Sequence, residues 1–117
     1  MRLIIGGRHQ GKLDYALSLG YTMQDVATSL PTDKPILYGL QNLTRTNPDL
    51  TEADIPDCIV ICDELGCGVV PLDPEERAWR ERTGRLCCQL AKRASQVDWV
   101  FCGIATALKE DTPCTSG

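Results

Sequence analysis

A chain of 117 residues is the length of one small domain, and its 43 % hydrophobic share supports a real core and argues against global disorder. A net charge of -4 argues against an extended nucleic-acid surface, which would carry a basic footprint. No apolar run approaches the roughly 20 residues of a membrane span, and Leu3-Ile4-Ile5 is too short for the apolar core of a secretory leader. A cytoplasmic protein is therefore expected. Its seven cysteines, an odd number without paired C-x-x-C spacing, are expected as reduced thiols serving mainly as small hydrophobes.

Taken in chain order, residues 2–5 read as a short strand. It runs into Gly6-Gly7-Arg8-His9-Gln10-Gly11-Lys12, a Gly-x-x-x-x-Gly-Lys string and the core of a phosphate-binding P-loop. Glycines let the backbone turn so that successive N–H groups face phosphate oxygens, and the following helix adds its positive end. Lys12 would reach the β- and γ-phosphates. Leu13 stands where a Ser or Thr hydroxyl would bind Mg²⁺. The candidate nucleotide-binding residues are thus Gly6, Gly7, Arg8, His9, Gln10, Gly11, Lys12 and Leu13. A glycine-rich β–α turn without ligand is the plainer alternative.

A helix is expected over residues 12–19, closed by Gly20. Thr22-Met23-Gln24-Asp25 resembles a capping box and predicts a short helix through Leu30. Residues 31–35 read as a turn and residues 36–40 as a second strand. Residues 41–56 are polar, hold two prolines, and read as a loop with one helical turn near residues 51–54. Cys58-Ile59-Val60-Ile61-Cys62 is a continuous apolar run that fits a strand buried on both faces of a parallel sheet. A long helix is expected over residues 75–95 with the stripe Trp79, Leu86, Leu90 and Ala94, then a last strand at residues 99–102. The domain reads as residues 1–109, followed by a flexible tail at 110–117.

Strands alternating with helices predict an α/β fold with a mostly parallel sheet, whose ligands bind beyond the carboxyl ends of the strands. The P-loop and Asp63-Glu64 both follow strand ends, so they are expected on one edge. An apolar strand ending in acidic residues looks like a Walker-B element. Either Asp63 or Glu64 would hold Mg²⁺, with the other orienting or deprotonating an attacking hydroxyl. Solvated residues in a turn are the alternative. Arg77 and Arg80, three apart near a helix start, would act as phosphate clamps or form a solvated face with Glu75, Glu76 and Glu81. His9, the only histidine, reads as a filler or a substrate-adjacent side chain within the P-loop.

Several strings resemble the adenosylcobinamide kinase/adenosylcobinamide-phosphate guanylyltransferase family. They are Glu64-Leu65-Gly66-Cys67-Gly68-Val69-Val70-Pro71, then Arg77, Arg80, Gly84 and Gln89-Leu90-Ala91, then Val97-Asp98-Trp99-Val100, Gly103 and Leu108-Lys109. That family typically reads Asn-Glu-Val-Gly-x-Gly-Ile-Val-Pro, and its N-terminal Gly-Gly-x-x-Ser-Gly-Lys-Ser is similar to residues 6–12. The likeness covers residues 1–20 and 59–109. It implies a RecA-like P-loop NTPase fold, a homo-oligomer (trimeric in the family), and a place in cobalamin assembly. It also implies phosphorylation of the adenosylcobinamide hydroxyl with ATP or GTP, and GMP transfer through a guanylylated histidine. The catalytic candidates are then Lys12, Asp63 and Glu64, with Asp63 the candidate metal ligand and Arg77 and Arg80 phosphate or subunit-interface groups.

The departures bear on function. The family is longer between the P-loop helix and the strand at Ile59, and that stretch carries its guanylylated histidine; loss of guanylyl transfer is expected. The family's Asp-Cys-Leu-Thr strand end would fall near Tyr38-Gly39-Leu40-Gln41, where no carboxylate stands. Asp63 replaces a family Asn, and Cys88 another. The resulting expectation is a nucleoside triphosphate-binding, kinase-like protein. The rival is a non-catalytic nucleotide- or corrinoid-binding protein.

Overall fold

The computed structural model describes residues 1–65 and 73–110. Six strands are defined among them: β1 (Arg2–Gly6), β2 (Val26–Ala27), β3 (Ile36–Tyr38), β4 (Ile59–Asp63), β5 (Gln96–Phe101) and β6 (Ile104–Lys109). Three α-helices accompany them: α1 (Lys12–Ser18), α2 (Leu40–Thr46) and α3 (Pro74–Arg93). The strands form one sheet in the order β2-β3-β4-β1-β5-β6, parallel except for the β5–β6 pair. This is the expected α/β architecture. Among the described residues no helix is long and apolar enough to cross a membrane.

Alternation along the inner strands fills both faces. Leu3 of β1 and Val60 and Cys62 of β4 join Leu86, Leu90 and Ala94 of the α3 side in one core. Ile4 of β1 and Ile59 and Ile61 of β4 join Ala16 of α1 in the other. The α3 stripe is buried as its spacing predicts, with Thr83 added and Trp79 only partly covered. Asp73 caps α3 by accepting from Glu75 N–H, with Pro74 in the first turn.

The connections fix where a ligand can sit. From β1 the chain passes through α1 to β2 at the far edge, then returns through β3 and β4 and crosses through α3 to β5. The segments leaving neighbouring β1 and β4 therefore depart to opposite faces. Their strand ends, Gly6 and Asp63, are in register, so the crevice between them is a topological switch point.

Four expectations need correction. The capping box at Thr22 and Asp25 is real, but it starts only a 3₁₀ turn (Met23–Asp25), because Val26 and Ala27 leave it to pair with β3. The second strand stops at Tyr38, since Gly39 turns left-handed (φ 83°) to begin α2. That helix lies where a loop was expected: Leu40, Leu43 and Thr44 share one face and bury it. Finally, residues 99–102 are not the last strand. Cys102 and Gly103 (φ 52° and 77°) make a two-residue turn with the geometry of tight hairpins, and β6 returns antiparallel. The 3₁₀ turn Glu52–Asp54 is as expected. Cys58 and Cys62 are core residues, whereas Cys88 and Cys102 are exposed and do not serve as small core hydrophobes. The string Gly66 to Pro71, with Cys67, and the tail from residue 111 lie outside the described residues.

Candidate active site

At the end of β1, Gly6 passes so close to β5 that a Cβ there would collide with the Val100 carbonyl oxygen, so only glycine fits. The loop then carries His9 (φ 61°) and Gly11 (φ 92°) in left-handed conformations and enters α1 at Lys12. Gln10 anchors it: its carbonyl accepts from Gly103 N–H at 2.8 Å, and its Oε1 accepts from Cys102 N–H at 2.6 Å. The hairpin turn between β5 and β6 thus braces the phosphate loop from behind, and a Cβ on Gly11 would stand 3.3 Å from Gly103 Cα.

Lys12 is only 5 % exposed. A buried ammonium requires partners, and it has two. Its Nζ donates to the Gly7 carbonyl at 2.7 Å and pairs with Asp63 Oδ1 at 2.8 Å. The same edge is stitched by Glu64 N–H, which donates to the Gly6 carbonyl at 2.7 Å. Glu64 itself is exposed, and its Oε2 accepts from Trp99 Nε1 at 3.4 Å.

These groups open onto a cavity of about 580 Å³, within the range of small-molecule sites. Arg8 to Asp14 form one wall; Tyr38, Gln41, Asn42 and Trp79 form the other; Asp63, Glu64 and Leu65 lie between. Gln41 is held at several points. Its backbone carbonyl accepts from Trp79 Nε1 at 2.8 Å and from Thr44 Oγ1 at 3.0 Å, and its Oε1 accepts from Asp63 N–H at 3.1 Å. The Trp79 ring is covered by the Arg45 guanidinium, 3.7 Å above its centre, which also grips Glu76 through two hydrogen bonds. Behind Asp63, the Cys62 thiol is pushed up by its hydrogen bond with Cys87 and by burial, so it stays a neutral packing group.

For a divalent cation the donors are few. Leu13 packs its side chain against the α1-side core, no carboxylate stands at the β3 end, and Asp63 Oδ1 is taken by Lys12. Asp63 Oδ2, Glu64 and, on the loop wall, Asp14 are left, and no cluster of three potential ligands exists among the described residues. Mg²⁺ is commonly held by one or two carboxylates together with substrate phosphates. The donor set fits a cation carried in by a nucleotide, not one caged by the protein.

The structure brings together the sequence-derived residues Arg8, His9, Gln10, Gly11, Lys12, Leu13, Asp63 and Glu64, with Gly6 and Gly7 shaping the loop behind them. Arg77 and Arg80 are not among the cavity's lining residues. Sequence reasoning did not find Gln41, Asn42 and Trp79. For Gln41 and Asn42 the available signal was positional: the end of β3 lies on the same edge as the end of β1, so the residues that follow it line the cavity; Trp79 gave no signal beyond its place in the α3 stripe.

The profile of the cobinamide kinase / cobinamide phosphate guanyltransferase family matches residues 39–108, more than half of the chain. The chain belongs to this family, a family of cobalamin biosynthesis with a P-loop fold. The matched stretch begins at the end of β3 and includes Gln41, Asp63 and Glu64; the glycine-rich loop before α1 precedes it. No curated protein matches the chain.

Proposed function

We propose that the cavity binds the triphosphate of ATP or GTP and that the chain keeps the kinase half of its family's chemistry, transferring the γ-phosphoryl group to a hydroxyl of adenosylcobinamide. The observation that carries this reading is Lys12, a buried cation between the phosphate loop and Asp63 at 2.8 Å. In the absence of phosphate it is neutralised by Asp63; a polyanion can take over Lys12, and the Asp63 carboxylate it frees is then available to a cation that enters with the phosphates. The loop backbone and Lys12 hold the phosphates; Glu64, exposed at the rim, accepts the hydroxyl proton as the oxygen attacks phosphorus and the bond to the nucleoside diphosphate breaks. Mg²⁺ entering with the nucleotide would be held by Asp63 Oδ2 and would neutralise phosphate charge. Guanylyl transfer through histidine is lost on this reading, because the single histidine, His9, sits in the phosphate loop. Homo-oligomerisation is supported by the edge strand β6, where Ile104 and Leu108 are 69 % and 59 % exposed.

A non-catalytic nucleotide- or corrinoid-binding role is the second reading, favoured by Leu13 and by the Asp63 oxygen committed to Lys12. Calorimetric titration with GTP and ATP, with and without Mg²⁺ and adenosylcobinamide, separates the two. Tightening by Mg²⁺ and phosphate transfer to the corrinoid support the kinase; binding indifferent to Mg²⁺ supports the second reading. Lys12→Ala is expected to lower triphosphate affinity roughly 10- to 100-fold, the loss of one charged hydrogen-bond partner, and to lower the melting temperature as well, because Asp63 loses its partner, while the fold stays intact. Wild-type affinity in that variant would reject the phosphate-loop assignment.

A further inference from the structure

The wall opposite the phosphate loop carries the amide of Gln41, three residues beyond Tyr38, at a strand end that lacks a carboxylate. Gln41 Oε1 is committed to Asp63 N–H at 3.1 Å, which settles the orientation of the side-chain amide: oxygen toward β4, Nε2 away from it. Nε2 has no hydrogen-bond partner among the described residues. It is also not buried, since the only buried side-chain nitrogen or oxygen without a partner among those residues is Arg82 Nε. Gln41 lines the cavity, and Nε2 is its one side-chain polar atom not engaged with Asp63. Its position is set by Trp79 Nε1 and Thr44 Oγ1 on its own backbone carbonyl. Asp63 links it directly to Lys12, whose Nζ is 2.8 Å from Asp63 Oδ1.

We infer that Gln41 Nε2 is a direct phosphate ligand: it donates to a phosphoryl oxygen of the bound nucleoside triphosphate from the side facing Lys12. This rests on the nucleotide reading above and adds to it a second, neutral anchor. Leu13 offers no hydroxyl and the β3 end no carboxylate, so this part of the wall meets the anion through an N–H donor rather than through a bridging cation. A neutral donor of this kind stabilises phosphate without adding charge beside the carboxylates of Asp63 and Glu64. The amide is already oriented before ligand arrives, so little ordering entropy opposes the contact.

Two substitutions, each measured with GTP and with inorganic pyrophosphate in EDTA, isolate the donor. Gln41→Glu keeps an oxygen for Asp63 N–H but removes the donor and adds charge. Gln41→Met removes donor and acceptor without charge. Direct contact predicts that both lose affinity for both probes, about tenfold, as expected for a hydrogen bond to a charged oxygen. Loss in Gln41→Glu alone means charge repulsion, and loss in Gln41→Met alone means a structural role through Asp63 N–H; either overturns the inference, as does loss in neither. The parent reading fails separately: a wild-type protein that binds neither GTP nor ATP, with or without Mg²⁺, removes the nucleotide site itself. Wild-type binding that is lost in Lys12→Ala but intact in both Gln41 variants removes only this contact.

Discussion

The two faces of the sheet are built differently. Among the described residues, thirteen buried ones on the α2–α3 side form one core, with Leu37, Val60 and Leu90 at its centre. On the α1 side only six do, and the packing gives way to a polar cluster. Arg2 Nε pairs with Asp98 Oδ2 at 2.7 Å, Arg2 Nη2 donates to Tyr15 Oη at 2.7 Å, and Gln96 Nε2 donates to Asp98 Oδ1 at 2.9 Å. The first face supplies cohesion. The second carries the phosphate loop on a seven-residue helix tied to β5 through Tyr15 and Asp98. The cavity straddles them: Lys12 comes from the thin face, and Gln41 from the thick one.

The largest effect is expected where cohesion is concentrated. Leu90→Ala should cost about 2–5 kcal/mol of unfolding free energy, the transfer and cavity terms of a fully buried leucine, while the folded fraction binds nucleotide as before. Chemical denaturation with parallel titration checks both halves; a loss of affinity without a loss of stability would dissolve the division between the faces. Asp98→Ala comes next, at about 1–3 kcal/mol for leaving the polar partners of a buried carboxylate unpaired. Because Tyr15 then loses its tie to β5, triphosphate affinity should fall as well. Stability lost with affinity unchanged would show that α1 holds the phosphate loop without the cluster.

The thick face was largely legible, because burial on it is periodic. The continuous apolar run of β4 and the Leu86, Leu90, Ala94 stripe each announce a buried surface in a few residues. The phosphate loop was legible for another reason: glycine spacing reports backbone geometry directly, and Gly6 and Gly11 are required by a close approach and by a positive φ. Helix α2 was not legible. Its seven residues offer two leucines, and what stabilises it is distant, including the Thr44–Thr83 hydroxyl contact at 2.6 Å and Trp79 donating to Gln41. Strand β6 was hidden because it is an exposed edge whose side chains show no alternation of burial; its partner β5 and the turn at Cys102-Gly103 define it. Lys12 and Asp63 could be placed on one edge in advance because the loop of the first and the second itself follow strand ends, although their ion pair could not be foreseen. The role of Gln41 could not be foreseen either, since the sequence shows only that the strand end before it lacks a carboxylate, not that the Gln41 side chain reaches Asp63.

The smallest expected effect tests how firmly the thick face presents Gln41. Glu76 holds Arg45 against Trp79, and Trp79 holds Gln41. The hydrogen bond from Arg45 keeps the Glu76 carboxyl below its ordinary value of 4.5. A carboxyl depressed by folding contributes stability that is present in full above that ordinary value and is lost as pH falls through the lower, folded one. Glu76→Gln lacks the charge at every pH. Its melting temperature should therefore lie slightly below wild type at pH 7, and the two curves should converge as pH drops below 4.5. The gap is small because the pair is exposed and screened by salt. Curves that stay parallel through this range would mean that the ion pair contributes nothing. Triphosphate affinity measured at pH 7 gives the sharper answer: Trp79 keeps its own hydrogen bond to Gln41 in this variant, so affinity should be nearly unchanged. A clear loss would mean that Gln41 is held by the charged stack above Trp79 and not by the indole alone.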